Sequence, residues 1–154
     1  MRSEKTVMTI KTLALAAAAM CIATAAQAHS HKFKNLEIMH PWCIETKDTA
    51  NPVSVFMTIK NSGRPDKLLR ATTSIAGKTE LRAAGDEKTV SSVGVATRGP
   101  TDLKRDGPHI QLSDVRKQLF PLDSFLMTLV FERAGKVEIE VMVEKASVLA
   151  PAHE

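Results

Sequence analysis

Residues 128–141 read TLVFERAGKVEIEV, and this stretch decides the fold. Apolar and polar side chains alternate on both sides of its centre, which is the period-two pattern typical of strands. We expect Phe125–Glu132 to pair with Lys136–Val143 across the segment Arg133–Gly135. Gly135 adopts positive φ at little steric cost and therefore suits a tight turn. The stretch predicts a β-hairpin.

The rest of the domain has the same alternation, interrupted by turn residues. It predicts further strands at Leu36–Met39, Val53–Lys60, Asp66–Thr73, Lys78–Arg82, Val90–Val95, Thr101–Lys104 and His109–Leu112. Pro41 is expected to end the first of these strands, because proline cannot donate to a sheet ladder. Asp114–Phe120 is the only segment whose pattern predicts a helical turn. Short strands at this spacing predict an all-β, single-domain β-sandwich with Greek-key connections.

The first residues have the pattern of an export signal. Arg2, Lys5 and Lys11 carry positive charge, residues 12–26 are uncharged and rich in Ala and Leu, and residues 26–28 (AQA) match a signal-peptidase site. The apolar run is short for a membrane span, which needs about 20 residues. The pattern predicts a periplasmic protein, cleaved after residue 28, with no membrane span in the mature chain.

These patterns divide the chain into four segments. They are a signal peptide (1–28), a flexible mature N-terminus (29–35), a β-sandwich (36–144) and a C-terminal tail (145–154). The formal net charge of the full chain is +4. No block of Lys and Arg with interleaved aromatics occurs, which argues against nucleic acid as a partner.

Five segments, taken in order, resemble the periplasmic copper chaperones known as PCu(A)C. They are Ile38–Trp42 (IMHPW), Phe56–Gly63 (FMTIKNSG), Asp66–Leu69 (DKLL), Ile75–Leu81 (IAGKTEL) and Thr128–Val141. The resemblance implies a cupredoxin-like β-sandwich that binds Cu(I) and delivers it towards the CuA centre of cytochrome c oxidase. A copper-receiving or assembly protein of the respiratory chain is the partner that it implies.

The copper ligands of that family are changed in this sequence. The family binds Cu(I) through two His-x-Met pairs and a further Met, which are the soft ligands that Cu(I) prefers. Here the first pair falls on Arg82 and Ala84, and the second falls on His109 and Gln111. The resemblance therefore implies an altered or weakened site in which His109 is the remaining ligand.

The mature N-terminus is a second candidate for metal binding. After cleavage it begins His29-Ser30-His31, which offers an α-amine and two imidazoles, and these donors suit Cu(II) or Zn(II). The alternative is a disordered polar start. The candidate metal ligands are therefore His109, His29 and His31, and the expected metal is copper as Cu(I) or Cu(II).

Met39, His40 and Cys43 lie within five residues of each other and would make a soft-metal set. A continuous strand would nevertheless place Met39 and His40 on opposite faces. Cys43, the one cysteine after processing, is more simply a buried core residue. We likewise expect Met57 and Met142 to fill the core.

The sequence has no nucleophile elbow, phosphate-binding loop, HExxH or CxxC motif, so we expect no enzymatic activity. The favoured hypothesis is a periplasmic copper-binding, copper-chaperone-like protein. The alternative is a metal-free protein-interaction or assembly module, with Arg82, Lys104 and Arg105 contacting an acidic partner. A third hypothesis, a secreted enzyme with an N-terminal copper site, needs another exposed histidine close to His29 and an open metal position.

Overall fold

The computed structural model describes residues 29–85 and 88–149. The predicted signal peptide lies outside the described residues. The strands are β1 (Ser30–Phe33), β2 (Leu36–Ile44), β3 (Val53–Asn61), β4 (Asp66–Thr72), β5 (Ala76–Arg82), β6 (Thr89–Val90), β7 (Val93–Val95), β8 (Thr101–Leu103), β9 (His109–Val115), β10 (Ser124–Phe131) and β11 (Gly135–Glu144). A short 3-10 helix, Ala146–Leu149, follows the last strand.

The strands form one sheet that folds over itself into a sandwich. Its order is β6-β5-β9-β3-β2-β11-β10-β4-β7, with β1 paired to β2 and β8 paired to β3. The pairs are antiparallel except β2 and β11, which run parallel and join one layer to the other. The two layers contact each other through β3 with β7 and β4 with β5. The all-β, Greek-key sandwich predicted from the sequence is confirmed.

The core is built from the apolar side of each alternating strand. In β3 the side chains of Val53, Val55, Met57 and Ile59 are all buried, as the alternation predicts. The hairpin of β10 and β11 pairs Phe131 with Gly135 and continues along both strands. Burying each large apolar side chain contributes about 1.5–3 kcal/mol. The apolar side chains packed between the two layers therefore stabilise the fold. The outer faces of the sheet remain available for function.

A buried carboxylate joins β4 to the turn between β10 and β11. Asp66 Oδ1 accepts hydrogen bonds of 2.8 Å from the backbone N–H groups of Lys67 and Arg133, and Oδ2 accepts one of 3.0 Å from Ala134. The Asp66 side chain and Ala134 are buried, so water has little access to the hydrogen bond between them. These hydrogen bonds add to the backbone pairing of β10 with β4 and tie the turn of the hairpin to the start of β4.

Several local predictions differ from the structure. Residues 30–33, expected to belong to a flexible start, form β1 against β2. Pro41 does not end β2, because the pairing with β3 skips from Met39 to Trp42 and leaves Pro41 in a bulge, where its missing N–H is tolerated. The helical turn expected over Asp114–Phe120 is wrong. The strand β9 continues to Val115, which pairs with β5.

Candidate functional site

His109 begins β9 and lies on the outer face of the sheet. It pairs with Arg82 of β5, and its ring centroid lies 6.3 Å from that of Phe56. Its Nδ1 atom is 3.1 Å from the carbonyl oxygen of Gly107. A carbonyl only accepts, so we assign the ring proton to Nδ1. This assignment leaves the lone pair of Nε2 for a metal, and a backbone carbonyl on the other ring nitrogen is the usual support for a metal-binding histidine.

A surface pocket of about 430 Å³ opens beside His109. Its lining residues are Pro52, Ser54, Ala83, Gly85, Arg105, Asp106, His109 and Gln111. The pocket brings together two of the positions that the family resemblance aligns with ligands, His109 and Gln111. The amide of Gln111 offers a hard oxygen or a nitrogen that donates hydrogen bonds, and neither suits Cu(I).

A charged cluster on β5 borders His109. The carboxylate of Glu80 lies 3.1 Å from the guanidinium of Arg82 and 3.0 Å from Nζ of Lys78. The hydrogen bond from Lys78, with smaller contributions from Thr89 and the positive charge of Arg82, lowers the pKa of Glu80 below its usual value. Glu80 therefore stays ionised and holds Arg82 in place. The pairing of β5 with β9 places this ion pair of Arg82 and Glu80 beside His109 and Gln111.

His109 is not joined by other strong donors. Among residues 29–85 and 88–149, no three His, Cys, Asp or Glu side chains come together as a metal-binding group. The sulfur atoms of Met57 and Met127 belong to nearly fully buried side chains in the core. Met142 was expected in the core too, but it is only half-buried and lies beside Trp42 on the outer face.

The structure does not bring the N-terminal histidines to His109, because strands β2 and β3 lie between β1 and β9. The backbone N–H of Glu140 donates to Nε2 of His31 at 3.3 Å, so this imidazole is turned towards β11. The carbonyl of His29 accepts a 2.9 Å hydrogen bond from the N–H of His40. His29 and His31 therefore belong to a different part of the surface.

The cluster of Met39, His40 and Cys43 is divided by the bulge in β2. Cys43 is fully buried, as expected, whereas the side chain of His40 is exposed and its Nε2 atom lies 2.7 Å from Oε1 of Glu144. Burial, reinforced by the negative charge of Glu144, raises the pKa of the Cys43 thiol from 9.0 to about 12. Cys43 is thus a core residue. Glu144 was not predictable from the sequence, because it meets His40 only through the pairing of β2 with β11.

The raised pKa of Cys43 predicts a loss of stability in alkali. In the unfolded chain the thiol ionises near pH 9, whereas the folded chain keeps its proton to about pH 12. The free energy of unfolding should therefore be unaffected by this group below pH 9. It should fall between pH 9 and pH 12, by up to about 4 kcal/mol. Urea denaturation across this range measures the free energy of unfolding. In the Cys43→Ala chain, the part of its fall that is due to the thiol should be absent. An equal pH slope in both chains would contradict the assignment.

The model of the family described as "Putative lipoprotein LpqE-like" matches residues 36–143. The chain belongs to this family. The match covers nearly all of the β-sandwich, from the start of β2 almost to the end of β11. No curated protein gives a significant match.

Solved structures with the same fold include PCuAC domains. The apo PCuAC domain from PmoF1 is 28% identical, with a TM-score of 0.71 over 76% of this chain and 99% of that one. The copper-bound PCuAC domain from PmoF2 is 25% identical, with a TM-score of 0.67 over 76% and 98%. CuI-DR1885 from Deinococcus radiodurans, at 21% identity and a TM-score of 0.61 over 79% and 84%, shows the fold alone. The resemblance to the PCu(A)C family is confirmed.

These comparisons place the chain in the LpqE-like family and relate its fold to that of PCuAC domains. Within the described part of the chain, no helix has the length and apolar character needed to cross a membrane.

Proposed function

We propose that the exported chain handles copper in the periplasm, through a PCuAC-type site that is reduced to His109. Two observations support the proposal. The chain shares its fold, at 25–28% identity, with PCuAC domains of which one is described as copper-bound. His109 also has its Nδ1 atom engaged by Gly107 at the edge of an open pocket, so Nε2 is available.

A single imidazole holds Cu(I) weakly, and the guanidinium of Arg82 weakens the binding further. The remaining ligands therefore come from a second protein that docks over the pocket. From the family resemblance, this partner is a copper-receiving or assembly protein of the respiratory chain, and cytochrome c oxidase is the destination. Metal carriage by ligand exchange needs no chemical turnover, so the function is not enzymatic.

An anaerobic competition titration with Cu(I) tests the proposal. We expect the protein to lose copper to all but the weakest chelators, and the His109→Ala chain to lose its low-affinity binding at this position. His31→Ala is the matched control, because its imidazole is hydrogen-bonded to the backbone of β11 and plays no part at the pocket. Equal binding by the wild-type and His109→Ala chains would contradict the proposal.

A metal-free interaction module is the second candidate, and the position of Arg82 favours it. Arg82 stands opposite His109, where the family resemblance places a ligand, and the exposed Lys104 and Arg105 lie on the loop that precedes His109. Together they would present positive charge to an acidic partner. Partner binding that needs no copper and weakens in a chain with Lys104→Glu and Arg105→Glu would favour this function. Binding that requires copper would exclude it.

A further inference from the structure

Three turns meet at one end of the sandwich. They are the turn between β1 and β2, the turn that follows β3 and the turn between β10 and β11. Nζ of Lys34 donates a 2.7 Å hydrogen bond to the carbonyl of Ala134, and the N–H and Oγ of Ser62 donate to the carbonyl of Asn35 at 2.9 and 3.2 Å. Gly63 packs so closely on Asn35 that an added Cβ would lie 2.5 Å from its Nδ2 atom. The three turns therefore hold one another in place.

A cleft made of two adjoining pockets runs along these turns. The larger pocket has a volume of about 480 Å³ and the smaller one about 290 Å³, and Lys34, Asn35, Leu36 and Asn61 line both. Pockets that bind small molecules commonly have volumes of about 300–1,000 Å³ and are largely formed before the ligand arrives. The cleft has a suitable size, and the hydrogen bonds between the turns fix its walls.

The cleft is strongly positive. Five cationic side chains and two carboxylates line it, so its formal charge of +3 is close to the +4 of the whole chain. The cations are Lys32, Lys34, Lys60, Arg64 and Arg133. A pocket at the other end of the sandwich, lined by Glu45, Lys47, Asp48 and Arg105 among others, has no net charge. Concave walls of one sign focus their field, and here that field attracts an anion.

Most of these cations have no partner on the protein. Elsewhere Lys78 pairs with Glu80, but within the described residues the side chains of Lys32 and Lys60 make no ion pair. Both lie opposite Glu37 in the sheet, one on β1 and the other on β3, so their Cα atoms are about 10 Å apart. The other carboxylate of the cleft, Asp66, already accepts three backbone hydrogen bonds. The ammonium groups are therefore available to an outside ligand.

We propose that this cleft binds a small molecule with two or more oxyanion groups, either phosphate or carboxylate. Lysine ammonium groups bind such oxygens as point charges, and the guanidinium groups of Arg64 and Arg133 bind them in pairs. The hydroxyls of Ser62 and Thr97 line the same cleft and add hydrogen-bond donors. More than one oxyanion group suits cations that are spread along the cleft. None of the exposed large apolar side chains of the described residues lines it, which argues against insertion into a membrane.

The cleft is separate from the pocket at His109. Strand β3 runs from Ser54, which lines that pocket, to Lys60, which lines the cleft. Six residues of a strand span about 20 Å. The inference therefore goes beyond copper handling at His109 and does not depend on it.

Calorimetric titration of the exported, metal-free protein with pyrophosphate and, separately, with citrate tests the proposal. We expect one equivalent to bind at low salt, and the affinity to fall as NaCl is added, because ions screen exposed charges. In a chain with Lys32→Gln and Lys60→Gln the affinity should fall at least about 10-fold, because two charges close to the ligand are removed. The anion that binds more tightly shows whether the cleft prefers phosphate or carboxylate.

A chain with Lys47→Gln and Lys117→Gln is the matched control, and it should keep wild-type affinity. Both lysines are exposed, the change in net charge is the same, and their loops, joined by hydrogen bonds between Thr46 and Leu119, lie at the other end of the sandwich. Thermal melting checks that each variant is folded.

Three results would overturn the proposal. The first is that the folded wild-type chain binds neither anion. The second is that the two double variants keep, or lose, affinity to the same extent, because any binding would then reflect net charge alone. The third is that the wild-type chain binds poly-glutamate or phosphatidylglycerol vesicles but not the small anions, because the occupant would then be an acidic protein or a membrane.

Discussion

A chain carrying Arg82→His, Ala84→Met and Gln111→Met should bind Cu(I) at least about 100-fold more tightly than the wild-type chain, as expected when soft ligands are added to a supported imidazole. The three positions are those at which the family resemblance places the missing members of the two His-x-Met pairs. Residues 82 and 109 are paired across β5 and β9, and residue 111 follows two positions along β9 on the same face. The substitutions also remove a positive charge from the site.

Anaerobic competition with a Cu(I) chelator measures the gain. The control is the same triple variant with His109→Ala added. It should lose most of the gain in Cu(I) affinity, because the rebuilt site then lacks the imidazole of His109. A triple variant that is folded but binds no better than the wild-type chain would contradict the assignment of the copper position to the end of β5 and the start of β9.

The second large effect concerns stability. Asp66→Ala should lower the free energy of unfolding by about 3–5 kcal/mol, because three backbone N–H groups lose their acceptor and each orphaned buried donor costs roughly 1–3 kcal/mol. The affected groups are those of Lys67, Arg133 and Ala134, which join β4 to the turn between β10 and β11. Urea denaturation followed by the fluorescence of Trp42, the single tryptophan, measures the change.

Asp66→Asn is the matched control for this effect. Asparagine keeps one carbonyl oxygen in a side chain of nearly the same shape, so it preserves the acceptor at Oδ1 and should cost clearly less than alanine. If both substitutions lowered the free energy of unfolding by less than about 1 kcal/mol, the hydrogen bonds of Asp66 would not be what holds the turn of the hairpin in place.

The strands were predictable where burial on one face imposes a period of two. The hairpin of residues 128–141 and strand β3 have regular alternation and strong turn residues, and the structure reproduces both. Strand β1 was not predictable, because its few residues are largely polar and it is stabilised by pairing with β2. The prediction that Pro41 ends its strand was wrong for a related reason. The chain accommodates it in a bulge, and bulges leave no periodic pattern in a sequence.

The site at His109 and the contact between His40 and Glu144 differ in how far the sequence could locate them. The family resemblance pointed to residues 82 and 109, and the pairing of β5 with β9 brings these two positions together. The contact between His40 and Glu144 could not be anticipated, since it depends on the parallel pairing of β2 with β11 at opposite ends of the chain. The third hypothesis required an exposed histidine near His29, and His40 meets that requirement.

We propose that this chain offers His109, with little help from its neighbours, at the copper position that the family resemblance implies. An oxygen-free titration of the isotope-labelled protein with Cu(I), followed residue by residue by NMR, tests it most directly. We predict resonance shifts at His109, Phe56, Arg82 and Gln111 that move gradually with added copper, as expected for weak, rapidly exchanging binding. Absence of shifts at His109, or a tightly held ion in slow exchange there, would contradict the claim.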